Sequence, residues 1–182
     1  MAGRAVSEIA RVARAMRGAA LRAVGEVREG ERVRITGRLR YLGEPLLAPA
    51  TARPCAYYEL SVLGPHGISY SQDAQGQDFE LEDATGTARV RMRGATVAVT
   101  RDARVESGPY EDEEGEFEGA VDQLRFEEAV FQEGTLLSVV GRARWGDDLA
   151  AASYRTRARQ LVMEAGQGAL YISDQVMRRR RV

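Results

Sequence analysis

Residues Phe79 to Met92 read Phe-Glu-Leu-Glu-Asp-Ala-Thr-Gly-Thr-Ala-Arg-Val-Arg-Met. Phe79 and Leu81 fall on one side, Glu80 and Glu82 on the other. After Asp83-Ala84-Thr85-Gly86, the residues Ala88, Val90 and Met92 return to the first side. A period of two with one apolar face marks a half-buried strand, and a short Asp/Gly loop between two such runs marks a hairpin. With those four residues as the loop, Glu80 lies opposite Arg89 and Asp78 opposite Arg91. Opposed charges of this kind support a register by about 0.2–1 kcal/mol each.

The same period appears upstream. Between Glu31 and Arg40, Val33, Ile35, Gly37 and Leu39 alternate with Arg32, Arg34, Arg38 and Arg40, which predicts a strand with one wet, basic face. Gly43-Glu44-Pro45 ends it, and Pro45, Pro49 and Pro54 make the next stretch irregular or an edge. Cys55 to Leu63 reads as a strand with Ala56, Tyr58, Leu60 and Val62 on one face. A turn at Gly64-Pro65-His66-Gly67 follows, then Ile68-Ser69-Tyr70 resumes a strand before the polar stretch Ser71 to Gln77. Downstream, strands are predicted at Thr96–Thr100, Leu124–Phe131, Leu136–Trp145, Arg155–Met163 and Ala169–Ile172. Turn signals roughly every ten residues argue a mainly β domain, an OB-like small barrel or a sandwich.

Residues 1–24 carry a different period. Val6, Ile9, Ala13, Met16, Ala20 and Val24 share one face at helical spacing, with Arg4, Arg11, Arg14 and Arg22 opposite and Gly25 as the stop. Such a basic amphipathic helix docks on an anionic membrane, on a partner or on the protein's own core. The segment 105–119 carries six acidic residues between 111 and 118, Glu111, Asp112, Glu113, Glu114, Glu116 and Glu118, and is expected to be a mobile loop and a docking site for a partner. Arg178 to Arg181 form a basic tail within 176–182, attractive to an anionic surface.

Composition narrows the functions. The chain has 182 residues, 44% of them hydrophobic and 29% charged, enough for one globular core. Its 26 basic and 27 acidic residues nearly cancel, so no global field steers it to nucleic acid or lipid. Every basic residue is Arg, a bias expected of a GC-rich bacterial genome before any preference for guanidinium chemistry. One Cys and one His cannot complete a zinc site or an internal disulfide. No run reaches the roughly 18 apolar residues of a membrane span, and no cleaved signal is expected.

Gly30–Arg40 (GERVRITGRLR) followed by Phe79–Met92 resembles the first and middle strands of OB-type barrels, with Gly37 letting the first strand coil and Gly86 taking a positive φ in the hairpin turn. With Pro45–Leu60 (PLLAPATARPCAYYEL), Leu136–Arg144 (LLSVVGRAR) and Leu170–Asp174 (LYISD), residues 25–175 resemble the GIDE, or "beside a membrane", domain. That domain occurs in mitochondrial outer-membrane ubiquitin ligases and in bacterial membrane proteins. The resemblance implies an OB-like barrel working beside a membrane. It implies no ligase, because the RING of those relatives needs Cys and His that this chain lacks.

Cys55 is the one thiol, and His66 stands eleven residues on, without an orienting third group in view. A buried Cys acting as a small hydrophobe is the plainer reading. The acidic segment misses the spacing of a Ca²⁺ loop, and there is no Walker A, Gly-x-Gly-x-x-Gly or Gly-x-Ser-x-Gly motif. No enzyme, metal or cofactor is expected. The expected function is a cytoplasmic interaction or scaffold module with a protein partner, extending to the inner membrane face through the helix and tail. The alternative is single-stranded nucleic-acid binding by a basic face of Arg32, Arg34, Arg38, Arg40, Arg89, Arg91 and Arg93, with Arg155, Arg157 and Arg159 beside it. A third reading is an adaptor docked through the acidic segment.

Overall fold

In this computed structural model, residues 2–64, 67, 69–106, 124–147, 159–166 and 168–175 are described. His66, Arg155, Arg157, the acidic residues Glu111 to Glu118 and the tail 176–182 lie outside them. In chain order the elements are α1 (Ala2–Gly18), β1 (Ala20–Leu21), a 3-10 turn (Val24–Glu26), β2 (Arg32–Tyr41), β3 (Leu46–Leu47), β4 (Pro54–Cys55), β5 (Tyr57–Leu63), β6 (Ser69–Gly76), β7 (Phe79–Asp83), β8 (Gly86–Val90), β9 (Ala95–Ala98), β10 (Ala103–Glu106), β11 (Arg125–Phe131), β12 (Leu136–Asp147), β13 (Arg159–Glu164) and β14 (Leu170–Ser173).

Five of these strands close a barrel. β2 pairs antiparallel with β7, β7 with β8, β13 with β12 and β12 with β2, while β8 and β13 run parallel. A three-strand meander, a parallel joint and a return to the first strand make an OB-like small barrel. The inward positions follow the period of two: Val33, Ile35 and Leu39 from β2, Phe79 and Leu81 from β7, Ala88 and Val90 from β8, Leu137 and Val139 from β12, Leu161 and Met163 from β13, all at 0% exposure. Each large side chain so buried is worth about 1.5–3 kcal/mol. Gly37 occupies the remaining inward position of β2, and a Cβ there would stand 2.4 Å from the Glu82 carbonyl oxygen. Only a glycine lets the two strands approach so closely.

The hairpin β7–β8 has the expected register, with Glu80 opposite Arg89 and Asp83 paired with Gly86 at φ 156°. Asp83 ties its turn to the N-terminal segment. One carboxylate oxygen accepts from the Thr85 N–H and hydroxyl and the Gly86 N–H; the other accepts from the Val24 N–H at 2.8 Å. Asp78, by contrast, accepts from the Met92 N–H, and Arg91 pairs with Glu164 at 3.0 Å instead of Asp78.

The N-terminal helix is shorter than its sequence suggests. It stops at Gly18, and Ala20–Leu21 then pairs parallel with Val33–Arg34, because backbone bonding to β2 outweighs the helical propensity of Ala. The buried row is Val12, Met16 and Ala19, set on Ala98, Val140 and Tyr171 of β9, β12 and β14. That row lies about a quarter turn from the expected face. Of the expected residues, Met16 and Val24 are buried, Ala13 is half-buried, and Ile9 and Ala20 are exposed. Alanines spread around the helix leave its face undetermined until the sheet beneath selects one. Val24 sits in the 3-10 turn against the hairpin, not on the helix.

The insertions within the barrel, residues 42–78 and 91–135, supply a second sheet in the order β10-β11-β5-β6. The strand expected to resume at Ile68-Ser69-Tyr70 does not end there: β6 runs straight through the polar Ser71–Gly76, paired with β5 from Val62↔Ser71 to Tyr57↔Gly76. Seven of its eight residues are exposed, so no apolar alternation marks it.

Candidate functional site

The arginines expected to form one basic face divide among different tasks. Arg34 is 9% exposed, and its Nη1 donates to the Met16 carbonyl at 2.8 Å, where it satisfies the C-terminal end of α1. Arg38 donates to the Gly134 carbonyl, and Arg40 bridges Glu82 at 2.7 Å and Glu133 at 3.2 Å. Arg89 stands half-buried in register with Glu80, whose carboxylate accepts from Gln160. Arg91 and Arg144 both meet Glu164. Arg32 remains exposed on this side, Arg159 is exposed at the start of β13, and Arg93 lies on the rim of a separate cleft. The outer face of β2, β7 and β8 is therefore a lattice of alternating charge. Each acidic neighbour reduces the counterion release that a nucleic-acid strand could gain there.

The opposite side of the second sheet holds a buried carboxylate. Glu128 on β11 is 0% exposed; its Oε1 accepts from the Ala50 N–H at 2.8 Å, and its Oε2 accepts from the Thr51 hydroxyl. Arg53 lies 3.6 Å from the same oxygen and makes two bonds to Asp102, at 2.9 and 3.0 Å. This network holds the turn 48–53 over Cys55, Tyr58 and Val130. Cys55 is fully buried, and burial, helped by the nearby Glu128 charge, pushes its thiol up to about 11. A thiol in that state is inert at neutral pH.

A cleft of about 1120 Å³ opens between β9, Glu8 and Ile9 of α1 and the second sheet. Its wall is one face of β5 and β6: Tyr57, Glu59 and Ser61 stand across from Gly76, Ala74 and Gln72. Its floor runs from Met92 to Val99, with Ile9 and Glu8 at one side. Arg101 spans the far end, bonded to Glu127 at 2.7 Å and the Ser61 hydroxyl at 3.1 Å and lying 3.5 Å from Glu59. Tyr57 points its hydroxyl toward Glu59, and burial, then that carboxylate, raises its pKa beyond the range of any physiological titration. It can donate a hydrogen bond here but cannot act as a base.

Among the described residues lining the cleft, none pairs a nucleophile with a base. Among the described residues no group of three or more His, Cys, Asp and Glu is placed to hold a metal ion. No helix among them is long and apolar enough to cross a membrane. The sequence reading missed this cleft because its wall is the polar strand β6. The signal for that strand ends at Ile68-Ser69-Tyr70, before the polar residues that line the cleft. No protein-family model, curated protein or solved structure matches the chain.

Proposed function

We propose that the chain is a non-catalytic interaction module that engages a protein partner along the cleft between β9 and β6. One observation carries the reading: the cleft is bounded by the terminal strands of both sheets, so open backbone edges and a recessed surface coincide. The apolar row of α1 is spent on the barrel, which argues against that row as the membrane anchor. The charge lattice on β2, β7 and β8 argues against the nucleic-acid alternative. Kinship with GIDE-type domains belongs to the same proposal. The barrel order is compatible with it, and its ligase activity is not part of what we propose.

The test uses a photo-crosslinking residue in place of Gln72 in the cleft wall or Thr87 on the outer barrel face. A defined protein adduct from Gln72 that Ala74→Pro abolishes, with none from Thr87, is the expected result. A single-stranded 20-mer binding at micromolar or tighter affinity, with a steep salt slope, would replace this reading by the nucleic-acid one.

A further inference from the structure

The charge lattice breaks on the β12 side of β2. There Arg32 stands directly across from Arg142. The Ala143 N–H bonds to the Glu31 carbonyl and the Leu39 N–H to the Thr135 carbonyl, so the odd-numbered residues of β2 form the hydrogen-bonded pairs of this ladder. Arg32 and Arg142 are therefore a non-hydrogen-bonded pair, the closest cross-strand position, with Cα atoms about 4.5 Å apart. Like charges placed so destabilise a sheet. Arg34, two residues on along the same outer face, adds a third guanidinium. It is 9% exposed, its Nη1 bonds only to the Met16 carbonyl, and its Nε meets no acceptor among the described residues.

The carboxylates nearby are committed elsewhere. Glu164, across β12 from Arg142, gives one oxygen to Arg91 and the other to Arg144. Glu31 is bonded to Arg22 and the Arg28 N–H, Glu29 accepts the Trp145 N–H, and Glu26 shares a groove with Arg22 and Arg28. Arg142 itself donates to the Gly30 carbonyl at 2.8 Å, and the Arg32 guanidinium has no partner among the described residues. We infer that Arg32 and Arg142 together hold the phosphate group of a phosphate monoester. Each guanidinium is a planar fork that takes two oxygens, and a dianion cancels the repulsion of the facing pair. A carboxylate has one charge and oxygens for a single fork. The field of the buried Arg34 is weakly screened and adds to the attraction. The site is separate from the cleft, so its failure would leave the interaction reading untouched.

The experiment follows the arginine Nε–H signals of the full chain by NMR while inorganic phosphate or acetate is added at constant ionic strength. The expected result is a saturable shift at Arg32 and Arg142, with a Kd on the order of 0.1–1 mM for phosphate and at least about tenfold weaker binding of acetate. Arg32→Gln or Arg142→Gln should weaken phosphate at least about tenfold, and Arg38→Gln, on the same strand but outside the pair, less than about twofold. Arg32→Glu turns the facing pair into one of opposite charge, so binding should vanish while Tm rises, which separates loss of the site from loss of the fold. A phosphoserine peptide that binds at least about tenfold tighter than inorganic phosphate and than its unphosphorylated form supports a phosphorylated partner as the source; equal affinity for the two phosphates supports a free phosphomonoester. No saturable shift up to about 10 mM phosphate, equal binding of acetate, or an equal loss in Arg38→Gln overturns the proposal. So does tight binding of a single-stranded 20-mer with a salt slope of several phosphates, which makes a nucleic-acid strand the ligand.

Discussion

Replacing Glu128 should release the turn 48–53. The carboxylate is wholly buried and receives the Ala50 N–H and the Thr51 hydroxyl, with Arg53 3.6 Å away. Hydrogen bonds to a charged group contribute about 1.5–3 kcal/mol each, and breaking a buried pair costs about 3–5 kcal/mol. Arg53 keeps its two bonds to Asp102, so its charge is not stranded and the lower end applies. Glu128→Ala should therefore cost about 3 kcal/mol, a fall in Tm of roughly 6–12 °C for a chain of this size. Glu128→Gln keeps the volume and one acceptor and should cost about 1–2 kcal/mol. The turn also contains Ala52 at φ 53°, a conformation worth about 1–2 kcal/mol of strain that the network must outweigh. Urea unfolding followed by Trp145, the single tryptophan, measures the global term. Amide exchange of residues 48–53 measures the local one. A loss under about 1 kcal/mol with unchanged exchange in that turn would show that the carboxylate does not hold it.

Gly37→Ala should cost about 1–3 kcal/mol or more by melting, since its Cβ would meet a backbone carbonyl, whereas Gly43→Ala, with nothing nearby, should be close to neutral. Met16→Ala should cost about 2–5 kcal/mol and expose α1 to exchange; a neutral result would mean the helix does not rest on β9 and β14. Burial raises Asp83's pKa, but the Thr85 hydroxyl and the Val24, Thr85 and Gly86 N–H groups outweigh it and hold the carboxyl below its usual range. A carboxyl lowered in the folded state contributes stability above its unfolded pKa and loses it as pH falls through the folded one. Asp83→Asn should therefore flatten the acid limb of the stability curve below about pH 4, and an unchanged limb would refute the assignment. Ellman's reagent should leave Cys55 unmodified in native protein at pH 8 and titrate one thiol in urea, because its thiol is pushed to about 11.

How much was legible depended on what each residue had to satisfy. The hairpin at Asp83–Gly86, the alternation of Val33, Ile35 and Leu39, and the glycine at 37 all serve a barrel interior. That requirement writes a period of two directly into the chain. Strand β6 faces water on both sides, so its sequence carries no such record, and the cleft it forms was invisible with it.

Local alternation and simple counts establish the inward faces of β2 and of the β7–β8 hairpin, the hairpin register, the charge balance and the lack of a second cysteine to pair with Cys55. Only the packed fold selects which side of α1 is buried, because an alanine-rich helix has several acceptable faces and the sheet chooses among them. Only it decided that the arginines cap a helix and neutralise carboxylates, since their partners come from residues 18 to 93 positions away. And only it brought the edges of β6 and β9 to one cleft, because a strand edge consists of backbone groups that every sequence shares.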